Sequence, residues 1–121
     1  MMNSLLREIG ELGDLADELA GSATRPVLLF KHSLTCPISS RAYREFETYL
    51  EHPNPNVSYG LITVQHSRQV SDEAARRLGV KHESPQAILV SHGRVLWHAS
   101  HMEITAAEIE NALASVTAPG P

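Results

Sequence analysis

Two short apolar runs separated by a segment of helical periodicity restrict this chain more than any other feature. Val27-Leu28-Leu29-Phe30 is apolar at every position and too short for a helix of its own, which is the pattern of a central strand covered on both faces. Pro37 suits the first turn of a helix, and Ile38, Ala42, Phe46, Tyr49 and Leu50 then recur at helical spacing until His52-Pro53-Asn54-Pro55-Asn56 stops it. Val57 to Val64 is rich in β-branched and aromatic residues and reads as a second strand.

The flanking segments extend this order. Leu5, Leu6, Ile9, Leu12, Leu15, Ala16 and Leu19 recur at steps that fit one helical face, weakened by Gly10 and Gly13, so an amphipathic helix or two turns with a break is expected. Ser71 is placed as the N-cap of a helix running to Gly79, with acids in its first turn and bases in its last. Ala87–Val90 and Val95–His98 flank Ser91-His92-Gly93-Arg94, the pattern of an antiparallel hairpin. Thr105 and Glu108 have capping-box spacing ahead of a terminal helix. Helices link the first three strands, which predicts parallel pairing among them. The expectation is one α/β domain over residues 1–117, a mixed four-stranded sheet with helices on both faces, and a disordered tail over 118–121.

Ten Lys and Arg against fourteen Asp and Glu leave a formal charge of −4, without the basic excess that nucleic-acid binding requires. Charged residues interrupt the N-terminal segment, and no apolar run has the length of a membrane span. No nucleic-acid or membrane partner is therefore expected, and a free thiol points to the reducing cytoplasm.

Cys36 is the single cysteine, which excludes an internal disulfide, a four-cysteine zinc site and a two-cysteine redox cycle within the chain. It falls where a strand ends and a helix begins, a position at which backbone N–H groups and the helix dipole favour a thiolate. Cys36 is thus a candidate nucleophile. Ser39 lies three residues on, where its hydroxyl is expected to reach back to the sulfur. Lys31 and His32 end the preceding strand and are candidates to supply positive charge to it. His92, His98 and His101 lack a cysteine or carboxylate at matching spacing, so no metal site is expected.

Phe30-Lys31-His32-Ser33-Leu34-Thr35-Cys36-Pro37-Ile38-Ser39-Ser40, His82-Glu83-Ser84-Pro85-Gln86 and Val95-Leu96-Trp97-His98-Ala99-Ser100-His101 occur in that order. Together they resemble the YtxJ family of thioredoxin-like proteins, the monothiol bacilliredoxins. The likeness spans about residues 10 to 116 and implies a thioredoxin-like fold with Pro85 as a cis-proline beside the active sulfur. It also implies removal of bacillithiol, a small thiol that some bacteria use in place of glutathione, from protein mixed disulfides. Bacillithiol would then be a co-substrate, bacillithiolated proteins would be the partners, and no cofactor would be tightly bound. Cys36, Pro37 and Ser39 would be catalytic, and Thr35, Ser84, Pro85, Lys31 and His32 would meet the substrate. Bacillithiol carries a malate moiety, for whose carboxylates Lys31, Arg41 and Lys81 are candidate partners. Two other uses of a lone cysteine compete. One is a cluster carrier of the monothiol glutaredoxin type, in which glycine usually follows the cysteine whereas Pro37 here lacks an N–H. The other is a redox-silent binding module.

Overall fold

The computed structural model describes residues 5–117. Its elements are β1 (Leu6–Glu8), α1 (Leu12–Gly21), β2 (Val27–His32), α2 (Pro37–Tyr49), β3 (Ser58–Thr63), α3 (Arg68–Leu78), β4 (Gln86–Ser91), β5 (Arg94–Ser100), a 3-10 turn (His101–Glu103) and α4 (Ala106–Thr117). The strands form one mixed sheet in the order β1-β3-β2-β4-β5. β3 runs parallel to β1 and β2, while β4 lies antiparallel to β2 and to β5.

β2 is apolar at successive positions because both of its faces are covered. Leu28 and Phe30 point into a core shared with Leu89 of β4, Phe46 of α2 and Ile109 and Leu113 of α4. Val27 and Leu29 point to the other side, into a core with Ile88 and Val90 of β4, Leu15 and Leu19 of α1 and Val70 and Ala74 of α3. Phe30 and Phe46 stack with ring centroids 4.9 Å apart, fixing α2 over the strand that leads to the cysteine. The hairpin between β4 and β5 turns through His92 and Gly93, both at positive φ (52° and 73°), the backbone of a two-residue turn that matches strand twist.

Three expectations are corrected. The sheet has five strands rather than four, because the segment read as the start of a helix is β1. Leu6 and Ile9 share a face only if the backbone is helical; here Leu6 enters one core and Ile9 the other. The Ile9 N–H extends the pairing by donating to the Leu61 carbonyl (2.8 Å). α1 then starts where Asp14 Oδ2 accepts the N–H groups of Gly10 and Glu11 (3.3 and 3.1 Å).

The third of the expected strands, β4, is antiparallel to β2 rather than parallel. After α3, residues 79–85 carry the chain back to the end of the sheet at which β2 finishes, so β4 starts with Gln86 opposite Lys31. The connection is thus a helix plus an extended return, which reverses the strand.

The N-cap of α3 is Ser67, and Ser71 lies inside the helix and is fully buried. Its C-terminal end matches the sequence reading, with Arg76 and Arg77 in the last turn and Gly79 left-handed at φ 67°. The tail expected over 118–121 lies outside the described residues. No helix among the described residues is long and apolar enough to cross a membrane.

Candidate active site

Cys36 is the N-cap residue of α2, with extended backbone (φ −102°, ψ 120°), and Pro37 follows in the first turn. Proline fits there because its missing N–H has no intrahelical partner to lose. The Cys36 carbonyl accepts the first helical bond from Ser40 N–H (3.1 Å), and its side chain is half-exposed. The sulfur thus stands at the positive end of a thirteen-residue helix and in reach of solvent.

Ser39 is fully buried one turn into the helix. Its Oγ accepts the Ser33 N–H (2.8 Å) and lies 2.8 Å from His32 Nδ1. The hydroxyl therefore turns to the end of β2, which corrects the expectation that it reaches for the sulfur. The part-buried N–H of Ser33 would otherwise lose this partner, and that cost selects the geometry.

The His32 ring stacks on Tyr43 at a centroid distance of 4.7 Å. Burial pushes its pKa below the ordinary histidine value, more than the nearby Glu47 carboxylate raises it. Burial thus disfavours the imidazolium, against the expectation that His32 supplies positive charge.

Lys31 differs from expectation more sharply. Its side chain is fully buried on the α3 side of the sheet, where Nζ donates to the Ser71 carbonyl (3.0 Å) and sits 3.2 Å from His82 Nδ1. Burial pushes the ammonium down to about 8, against a smaller opposing pull from Asp72. That placement takes Lys31 off the surface, where it was expected to meet a carboxylate.

The Ser84–Pro85 peptide bond is cis and Pro85 is buried. One step beyond the Lys31–Gln86 pair, the register sets Pro85 opposite His32, beside the strand end from which the cysteine loop departs. The Pro85 carbonyl accepts the His101 N–H (3.1 Å), and Met102 Sδ lies 3.3 Å from Arg41 Nη1 on α2. Those two contacts join the proline loop to the cysteine helix through the 3-10 turn. Ser84 Oγ and Gln86 Oε1, on either side of Pro85, are buried without a hydrogen-bond partner among the described residues.

Arg41 and Lys81 are exposed, and neither has a carboxylate in ion-pair distance among the described residues. His92 sits in the hairpin turn, His98 on β5 and His101 at the 3-10 turn, and no group of metal-ligating side chains forms among the described residues.

One residue of the site was not singled out from sequence. Gln65, just after β3, accepts the Leu34 N–H at Oε1 (3.0 Å), and its Nε2 donates to Ser33 Oγ (2.8 Å) and Thr35 Oγ1 (3.3 Å). Thr35, expected at the substrate, is exposed and held by this amide. A glutamine after a strand carries no local signal of such a contact, because the residues it binds lie about thirty positions away.

A family model described as monothiol bacilliredoxin BrxC matches residues 7–109. The chain belongs to the monothiol bacilliredoxin family. Among solved structures, it resembles an oxidoreductase with a thioredoxin fold at 29% identity and TM-score 0.79, covering 90% of this chain and 94% of the other. A thioredoxin from Fasciola hepatica is similar at 12% identity and TM-score 0.71, over 90% of this chain and 97% of the other. A mutant thioredoxin from Halobacterium salinarum matches at 16% identity and TM-score 0.73, over 96% of this chain and 94% of the other. The last two share the fold alone. This bacilliredoxin family member is therefore a thioredoxin-fold oxidoreductase of thiol–disulfide chemistry, and its one cysteine stands at the helix end described above.

Proposed function

We propose that the protein removes bacillithiol from protein mixed disulfides by a one-cysteine mechanism. The observation that carries this reading is the lone, half-exposed Cys36 at the N-terminus of α2 in a chain of the bacilliredoxin family. The Cys36 thiolate attacks the bacillithiol sulfur of the mixed disulfide. A Cys36–bacillithiol disulfide forms, the client–bacillithiol bond breaks, and the client leaves as a thiolate that takes a proton from water. The attacking sulfur stands at the N-terminal end of α2. With no second cysteine in the chain, an external thiol attacks the adduct, expels Cys36 as thiolate and carries bacillithiol away as a disulfide.

In this reading the substrate lies along Ser84 and Pro85 and also meets the exposed Thr35. Lys31 is buried, which leaves Arg41 and Lys81 as the exposed cations for the malate carboxylates of bacillithiol. Arg41 is favoured because it lies on the cysteine's own helix and its contact with Met102 holds it at the proline-loop side. A cycle that needs a free thiol on Cys36 suits a reducing compartment, the cytoplasm.

The test compares disulfides of bacillithiol and of glutathione as substrates of the reduced protein, with the adduct on Cys36 followed by intact mass. Faster adduct formation with bacillithiol, reduced in Arg41→Ala, is the expected result. Equal rates with both disulfides would remove bacillithiol from the reading, and no adduct with either would leave a redox-silent binding module.

A further inference from the structure

The three residues between β2 and Cys36 have no ladder or helix of their own, yet each is fastened to the same side chain. Gln65 accepts from Leu34 N and donates to Ser33 Oγ and Thr35 Oγ1, so one amide spans the loop from the strand end to the residue before the nucleophile. Ser39 holds the same loop from the other side through Ser33 N. Gln65 itself is exposed, so core packing does not explain its contacts.

We infer that Gln65 is a positioning residue for Cys36: through the Ser33–Thr35 loop it sets where the sulfur stands relative to the N-terminus of α2. The inference rests on Cys36 being the nucleophile but not on which small thiol it exchanges. An amide suits the task in two ways. It supplies an acceptor and two donors at once, which matches one N–H and two hydroxyls. It also bears no charge, so it clamps the loop without placing an anion beside a thiolate. A carboxylate at the same position would keep the acceptor for Leu34 N–H, lose both donors and add a negative charge that disfavours the thiolate.

The experiment uses the full-length protein with Gln65→Ala and Gln65→Glu. The second-order rate of Cys36 with a neutral probe, 4,4′-dithiodipyridine, is measured across pH, together with urea unfolding. Loss of the clamp is expected to slow Gln65→Ala about fivefold, the scale of one net hydrogen bond, with little change in its unfolding midpoint. Gln65→Glu is expected to move the pH–rate profile to higher pH than Gln65→Ala does, because it adds a negative charge to the loosened loop. Wild-type rate and profile in both variants would overturn the inference, as would an Ala variant slowed only in proportion to a loss of folded protein. Failure of the wild-type protein to take up bacillithiol would instead count against the proposed function, since the probe reaction does not involve that thiol.

Discussion

Ser39 and Lys31 are polar side chains fully buried on either side of the loop that leads from β2 to the cysteine in sequence. Ser39 Oγ meets the Ser33 N–H and the His32 ring in a fully buried position, so Ser39→Ala leaves both without that partner. The expected loss is about 1–3 kcal/mol of unfolding free energy, the usual cost of orphaning a buried polar group. It should be accompanied by slower alkylation of Cys36, because the loop ahead of the sulfur loosens. Urea titration and iodoacetamide kinetics measure the two effects, and an unchanged midpoint would show that water replaces the hydroxyl without cost.

Lys31 makes a prediction about pH. In the folded protein it gives up its proton near pH 8, whereas in the unfolded chain it holds it to the ordinary value of 10.5. Between those values the unfolded state binds more protons, so this residue makes stability rise with pH across the window, and below it contributes no slope. The difference in unfolding free energy between wild type and Lys31→Met should therefore shift in favour of wild type as pH increases from about 8 toward 10.5. Parallel profiles would mean that the buried amine keeps its proton.

Among the secondary-structure elements, β3 carries the tightest packing constraint. A Cβ on Gly60 would stand 3.0 Å from Leu29 Cδ2 and 3.1 Å from Ile9 Cγ1, both fully buried between α1 and the sheet. Gly60→Ala is expected to destabilise the protein by about 1–3 kcal/mol, since overpacking outweighs the smaller entropic gain of replacing glycine. Denaturant unfolding checks this, and a variant as stable as wild type would show that Leu29 and Ile9 can move apart.

The elements that position the cysteine were legible in the sequence because their signals are local. The apolar run at 27–30, the Pro37 helix start and the His92-Gly93 turn each depend on a few adjacent residues, and each appears where expected. β1 and the direction of β4 were not legible. A three-residue strand has too few positions to separate a period of two from a helical one, and strand direction was decided by the return path of residues 79–85. The same division holds at the site. Cys36 at a helix start follows from neighbouring residues, whereas the burial of Lys31 and the reach of Gln65 depend on α3 and β3 packing against β2.

Taken as a whole, the molecule is a five-stranded sheet with one thiol beyond the end of its central strand. Sheet-borne cores on both faces fix β2, β2 and α2 fix the cysteine loop, and the 3-10 turn ties that helix to the proline loop. Under the proposed mechanism, a molecule with one cysteine passes through one covalent intermediate, the Cys36 mixed disulfide, and leaves its completion to an outside thiol. The decisive measurement is time-resolved intact mass of the reduced protein mixed with a bacillithiolated client. One bacillithiol should appear on the protein for each client thiol released, it should vanish on adding free bacillithiol, and Cys36→Ser should neither gain the adduct nor free the client. Release of client thiol without an adduct on Cys36, or equal release by Cys36→Ser, would contradict the mechanism.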